Sequence, residues 1–414
     1  MTSLPAGYTH VGIASDERRD LLSLDTWAFP DTIDLDKADD FPFGFPWDRS
    51  RGVRDASGDL VACHASYPYP RFGVPGGTVA AAGLTWVGVH PGHRRRGLLS
   101  GMIREHLARS LERGEAISAL YAAEMAIYGR FGYGLAARDV HVKVPRGAAL
   151  RDVPGADEVT VRFATVDADA HEPLVTALHE AVERPGWTPR GTIEQRRGFL
   201  WDPTERRQGG EPLRIAIAER GGEPVGYALL RRKLDWTPTG PNGVVKLREV
   251  VVADAAVARA LWGVLLDLDL MGTLEVGNLA QDDPLLHLLV NPRAAQPGLG
   301  DNVWVRILDV PAALSARRYQ APVDVVLEVA DALLPANARR WRLVGGPDGA
   351  EVTPVEDEPD LALDVRELGT AYLGGTSLEG LGAAGLVVEH TPGAVRRAAV
   401  AFGWPVAPVS SAVW

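Results

Sequence analysis

Alternating apolar and polar positions open the chain's readable structure. Residues 59–67 and 79–90 each carry a strand pattern and are joined by the turn-rich RFGVPGG, which predicts an antiparallel hairpin. Behind the second strand, in HPGHRRRGLLSGMIREHLARSLERG, the period changes. Leu98, Leu99, Met102, Ile103, Leu107 and Leu111 recur at steps of one, three and four, so one helix is expected over 97–113, ended by Gly114. A strand over 117–122, a short helix over 125–131 and a closing strand over 139–144 follow. The segment PRGAALRDVPGADE then reads as a linker.

The next stretch repeats this plan. A strand over 159–163, a helix over 171–182 and a hairpin of 213–219 with 224–230 lead to VVKLREVVV, DAAVARALWGVLLDLDL and GTLEV, again strand, helix, strand. The order is that of residues 79–122, without an arginine-rich turn. From residue 302 the texture shifts to strands VWVRILDV, VDVVLEVAD and RRWRLVGG, a VPAALSARRY helix, a GPDGAEVTPV turn, and amphipathic helices in ALDVRELGTAYLGG and TPGAVRRAAVAFGW. The predicted organisation is three domains of mixed α+β and α/β class, 1–150, 151–300 and 301–414.

Composition narrows the function classes. Of 414 residues, 46% are hydrophobic and 23% charged, which supports buried cores and excludes a largely disordered chain. Cys63 is the only cysteine, so no disulfide framework or cysteine-based metal site exists. The histidines form no HExxH or paired i, i+4 arrangement and there is no G-x-S-x-G elbow, so neither a metal centre nor a serine nucleophile is expected. No apolar run approaches the ~18 residues of a membrane span and the start lacks a signal-peptide pattern, which points to a cytoplasmic protein. A net charge of −11 argues against nucleic acid as a partner. The charge is uneven, however: the first 48 residues hold 10 acids against Arg18, Arg19 and Lys37. Only four lysines, at 37, 143, 233 and 246, stand among 43 basic residues.

The most informative chemistry lies at HRRRG, residues 93–97. A strand ending at His90 enters a helix through Arg94, Arg95, Arg96 and Gly97, which sets unpaired helix amides beside three cations. Backbone donors, the positive helix end and side-chain charge together suit a pyrophosphate, and Gly97 lets the backbone come close.

LTWVGVHPGHRRRGLLSGMIREHL resembles the acetyl-CoA-binding motif of the GCN5-related N-acetyltransferases, whose phosphate loop reads Q/R-x-x-G-x-G/A. Arg94 and Gly97 match, and Leu99 stands where Gly or Ala is usual. With AIYGRFGYG at 126–134 and a further C-terminal domain, the chain resembles the Eis (enhanced intracellular survival) acetyltransferases of actinobacteria. The resemblance implies two acetyltransferase-like domains in tandem, the second degenerate and without CoA, then a sterol-carrier-like domain. It also implies a homohexamer.

On that resemblance, acetyl-CoA is the co-substrate. Val87, Gly88 and Val89 would pair with its pantetheine arm as another strand. Arg95, Arg96, Gly97, Leu98, Leu99 and Ser100 would cradle the pyrophosphate, with Ala123 and Glu124 bordering the far side. Tyr128 falls at the position of the general acid, whereas Tyr133 is expected to be structural. For the base, Glu124, Asp25 and His90 are chain-internal candidates. The apolar tail FGWPVAPVSSAVW instead suggests an anchored terminus, and the resemblance makes the α-carboxylate of Trp414 the proton acceptor, provided desolvation raises its ordinary pKa near 3.5.

The acidic opening then has a use. Asp25, Asp31, Asp34, Asp36, Asp39, Asp40 and Asp48 alternate with Trp27, Phe29, Phe41, Phe43, Phe45 and Trp47, a mixture that suits a polycationic amine. The resemblance favours aminoglycosides acetylated at several amines. Protein lysines are the alternative acceptor, and a lipid- or sterol-binding carrier on a vestigial acetyltransferase fold is the alternative function.

Overall fold

The computed structural model describes residues 4–29, 35, 44–410 and 413–414. In chain order the first elements are β1 (Thr9–Gly12), α1 (Arg18–Ala28), β2 (Arg51–Arg54), β3 (Leu60–Val74), β4 (Gly77–Val89), α2 (Leu98–Glu112), β5 (Ile117–Leu120), α3 (Met125–Tyr128) and β6 (Gly134–Leu135). The RFGVPGG segment is mostly strand. Pairing runs on to Val74 opposite Gly77, and the chain reverses only at Pro75 and Gly76, the latter at φ +64°.

The middle of the chain supplies β7 (Arg138–Pro145), β8 (Val159–Thr165), α4 (Ala168–Glu180), α5 (Ile193–Leu200), β9 (Arg214–Arg220), β10 (Glu223–Lys233), a small ribbon of β11 (Trp236–Thr237) and β12 (Gly240–Pro241), β13 (Gly243–Val252), α6 (Ala255–Leu266), β14 (Met271–Leu279), α7 (Pro284–Leu288) and β15 (Gly298–Asp301). The last part holds β16 (Trp304–Ile307), α8 (Val310–Ala316), β17 (Val323–Ala330), β18 (Arg340–Gly346), β19 (Gly349–Pro354), β20 (Leu361–Asp364), α9 (Val365–Ala371), α10 (Leu378–Ala383), β21 (Val387–Glu389) and α11 (Ala394–Phe402). The first residues of ALDVRELGTAYLGG, expected to be helical, form β20 and pair in parallel with β17.

Two seven-stranded sheets repeat one order: β1-β2-β3-β4-β5-β16-β6, and β8-β9-β10-β13-β14-β7-β15. In each, one parallel pair, β4 with β5 or β13 with β14, is bridged by a helix, α2 or α6, and the remaining neighbours are antiparallel. The pattern-level duplication is therefore a duplication of fold. Sheet membership departs from the division 1–150, 151–300 and 301–414 at two strands. β7 lies in the second sheet, between β14 and β15, and β16 lies in the first, between β5 and β6. The two halves thus exchange these strands.

The third sheet, β19-β18-β17-β20-β21, packs through Leu327 and Leu343, with Leu368 of α9 and Phe402 of α11, into a core shared with Phe72, Ile117 and Val305 of the first sheet. Arg317 is fully buried there, donating to the carbonyls of Tyr372 and Phe402 and stacked 4.8 Å from the rings of Tyr319 and Phe402. That residue ties the end of α11 to the core, and the chain leaves this anchor as the C-terminal tail.

Candidate active site

β4 and β5 are paired only at Ala81, Ala82 and Gly83 opposite Ile117, Ser118 and Ala119. Beyond Gly83, β4 runs on to Val89 alongside β3 alone, so its other edge faces a slot. A register shift between β3 residues Cys63 and Ala65 puts the bulge of β4 at this point, with Trp86 at φ +53°. Val87, Gly88 and Val89 lie on this divergent stretch. Across the slot, Ala123 and Glu124 are exposed just past β5. Glu124 reaches 3.9 Å from Arg94 across the mouth, a solvated pair.

At the end of β4 the chain makes a tight turn, with His90 Nδ1 accepting from the Gly92 amide at 3.2 Å. Arg95 at φ +61° and Gly97 at φ +84° then swing the backbone into α2. The first helical bond at this end is Gly101 N–H to Gly97 O, so the amides of Leu98, Leu99 and Ser100 stay outside the helix ladder. Arg95 is exposed, and Arg96 donates to Tyr8 Oη at 2.8 Å and Gly92 O at 3.1 Å. Leu98 is buried under the turn with Met102. Turn, amides and cations are thus assembled at the slot's outer end, an arrangement that can hold a pyrophosphate.

The corresponding turn of the second repeat is closed to an anion. After β13, Asp254 caps α6 by accepting from Val257 N at 3.0 Å, and Arg220 pairs with it at 2.9 and 3.1 Å. These bonds, the Arg220 pair foremost, hold the carboxyl below its ordinary range. A fixed carboxylate occupies the place where the first repeat has Gly97.

Two further groups converge where the strands part. Tyr128, at the end of α3, is 8% exposed and packs in one cluster with Leu84 and Leu120, the residues that follow the last paired positions. Burial, then the nearby Glu124, push its phenol up to about 12. Trp414 arrives beside Gly83 and stacks edge-on at 5.1 Å against both Tyr69 and Tyr121. Since Gly83 and Leu84 face opposite sides of the sheet, Tyr128 and Trp414 flank the slot from its two faces. Tyr133 is fully buried, its hydroxyl 2.8 Å from Ser118 Oγ, as a structural residue would be.

The tail is held bond by bond. Ala407 N–H donates to Asp282 at 2.9 Å and Val409 N–H to Pro185 O at 3.0 Å. Buried Asn302 accepts from Ser410 N at 2.8 Å and donates to Ser410 O at 3.1 Å, and Tyr121 Oη donates to the same carbonyl at 2.9 Å. Asp139 accepts from Asn302 at 3.2 Å.

Near its end β3 touches the second repeat, where Gly73 exchanges backbone bonds with Gly186 and Trp187 at 2.8 and 3.0 Å. Nearby lies a buried cluster invisible to sequence reasoning. Glu249 accepts from Arg190 at 2.6 Å and Tyr227 at 2.5 Å, and Arg190 in turn acts on Tyr69. Of the acidic-aromatic opening, Trp27 is 61% exposed against His90, while Phe45 is buried against Trp47 and Trp86. Asp31, Asp34, Asp36, Asp39, Asp40, Phe41 and Phe43 lie outside the described residues.

Comparison with known proteins agrees with this architecture. Two family descriptions, each an acetyltransferase (GNAT) domain, match residues 12–136 and 186–307, and a sterol carrier protein domain matches 310–411. An uncharacterized N-acetyltransferase of Streptomyces avermitilis is 44% identical over 87% of this chain and 88% of its own. The N-acetyltransferase Eis of Mycobacterium bovis is 35% identical over 93% of this chain and 94% of its own. The crystal structure of Eis1 from Mycobacterium abscessus superposes with a TM-score of 0.83 at 30% identity, covering 98% of this chain and all of that one. GNAT acetyltransferases use acetyl-CoA, and no helix among the described residues is long and apolar enough to cross a membrane. With both acetyltransferase repeats, the sterol-carrier-like domain and a relative of this identity along nearly its whole length, the chain belongs to the Eis family of GCN5-related N-acetyltransferases.

Proposed function

We propose that the first repeat transfers the acetyl group of acetyl-CoA to amines of polycationic acceptors, with aminoglycosides as the favoured class. The observation that carries this reading is the parting of β4 and β5 after Gly83, where Tyr128 packs with Leu84 and the Trp414 indole lies against Gly83. Val87, Gly88 and Val89 offer a free strand edge to the pantetheine arm, with Ala123 and Glu124 opposite. Arg95, Arg96, Gly97, Leu98, Leu99 and Ser100 take the pyrophosphate.

The amine nitrogen attacks the thioester carbonyl, its proton passes to the terminal carboxylate of Trp414, and the C–S bond breaks as Tyr128 donates to the departing sulfur. At about 12, the phenol lies above a free thiol near 8.5, an uphill gap of roughly 5 kcal/mol in water. The same desolvated slot raises the thiol as well, which narrows the gap and leaves Tyr128 a strong hydrogen-bond donor to sulfur. On the other side, Tyr69 and Tyr121 hold the Trp414 indole edge-on at 5.1 Å and so fix the last residue beside the slot. The lipid-carrier alternative meets a fully buried cation in the core of the third domain, where Arg317 donates to the Phe402 carbonyl.

The test is release of free thiol from acetyl-CoA by the purified protein with kanamycin-like amines. No release with these amines, or release only with lysine-bearing proteins, overturns the acceptor assignment.

A further inference from the structure

In a chain with four lysines, three of them, Lys143, Lys233 and Lys246, lie on one face of the second sheet. The register fixes this. Arg231 stands opposite Lys246, Lys246 opposite Glu275, and Glu275 opposite Lys143, so a row of side chains crosses β10, β13, β14 and β7 on a common face.

This row marks where β13 and β14 cease to pair, after Lys246 and Glu275, which is the counterpart of the point where β4 and β5 part in the first repeat. The slot has survived in the second repeat although its anion-binding turn is blocked by Asp254. A cavity of about 450 Å³ opens over it, and a second of about 290 Å³ adjoins it through Lys246 and Leu247.

The charge of this groove runs against that of the molecule. Lys246 and Lys233 have no carboxylate partner among the described residues, since Lys233 donates only to Gln208 O at 3.0 Å. Arg248, largely buried, donates to Phe199 O at 2.5 Å. Burial first, and then the neighbouring Arg231, hold its pKa below the ordinary guanidinium value, with Asp202 and Glu249 acting the other way. Glu275 is the carboxylate of the row, and Lys143 engages it at 3.2 Å. Asp202 is taken by Arg207 and Arg231.

We propose that this groove is a second ligand site, for a small anion carrying several phosphates: a free polyphosphate or the phosphate tail of a nucleotide. Adjacent strands are about 4.8 Å apart, so cations from Arg231 to Lys143 span roughly 14 Å, too far for one phosphate and suited to a chain of them. Cavities of this size admit a small molecule and not a duplex. The site is independent of acetyl transfer.

The experiment is calorimetric titration of the full-length protein carrying Arg95→Ala and Arg96→Ala, so that the turn after β4 does not compete. Inorganic tripolyphosphate should bind at one site. Adding Lys233→Ala and Lys246→Ala should weaken it by about tenfold or more, and Glu275→Gln should tighten it, a gain that a merely structural role would not produce. Tighter binding of ATP than of tripolyphosphate assigns the nucleotide, and the reverse order assigns the polyphosphate. Absence of binding, or binding indifferent to the lysine substitutions, overturns the proposal. So does a changed sedimentation coefficient on substituting the lysines, because the face would then lie between copies of the chain.

Discussion

The indole of Trp414, the last residue, lies against Gly83, the last position at which β4 and β5 are paired: a Cβ on Gly83 would stand 3.1 Å from Trp414 Nε1 and 2.2 Å from Tyr69 Cε2. Gly83 is bare because the chain end and Tyr69 occupy the space of its side chain. Gly83→Ala should therefore push the tail outward. A displacement of this order near a reacting centre costs turnover about a hundredfold, with acetyl-CoA affinity changed far less, because the strand edge proposed for the cofactor lies further along β4. Steady-state kinetics together with equilibrium binding checks this. Adding residues beyond Trp414 should abolish turnover while the fold persists, and full activity in that extended chain would remove the carboxylate from the mechanism.

Tyr128 gives a prediction in pH. Its phenol is held up at about 12, so it stays protonated throughout the working range and no alkaline limb below that value arises from it. The eight tyrosines at 67, 69, 121, 128, 133, 227, 319 and 372 are all raised, burial being the largest cause in each. An unfolded tyrosine ionises near 10, so their contribution to stability is complete below about pH 10 and falls as pH rises above it. Ultraviolet titration should show the phenolates of these eight appearing together with loss of circular dichroism, not before it. Tyr128→Phe should lower turnover with little effect on acetyl-CoA binding.

A buried ion pair supports the loop that carries Tyr128. Arg306, on the exchanged strand β16, meets Asp331 at 2.6 and 2.8 Å, and both side chains are almost wholly inaccessible. Its Nε donates to Phe131 O at 2.8 Å, just beyond Tyr128. Arg306→Met strands the carboxylate and should cost about 3–5 kcal/mol in denaturant unfolding. Arg306→Met with Asp331→Asn should recover part of that loss, because the buried charge is gone. Turnover should fall in both, since each has lost the bond to Phe131.

Local sequence carried more of this site than of the fold's connectivity. The arginine turn was readable because a strand, a left-handed glycine and a helix follow one another in sequence, and Gly97 does adopt φ +84°. The C-terminal anchor was readable because an apolar tail needs a surface. The exchange of β7 and β16 was not, since nothing local in either strand says which sheet it completes. Buried charges such as Arg306, Arg317 and Glu249 were equally silent, because their partners are distant in sequence. The lysine row needed the register: Lys246 faces Glu275 through the β13–β14 pairing, and Lys143 joins them only after strand exchange has placed β7 beside β14.

Acid should weaken the fold through three buried histidines. His64 and His106 lie edge to face at 5.8 Å between the first sheet and α2, and neither ring nitrogen of His64 has a hydrogen-bond partner among the described residues. Burial, reinforced by neighbouring positive groups, holds His64 down to about 3, lowers His106 strongly, and with Arg190 takes His179 to about 4. Each is neutral when folded and binds a proton near 6.5 when unfolded. Their contribution is therefore complete above about pH 6.5 and is lost as pH falls toward the folded values, about 2 kcal/mol for each by pH 5. His64→Leu removes one such proton and replaces an unpaired imidazole with an apolar side chain. Urea unfolding at pH 8 and pH 5 should show the variant losing about 2 kcal/mol less than the parent between the two conditions, and equal losses would show that His64 is already charged in the folded protein.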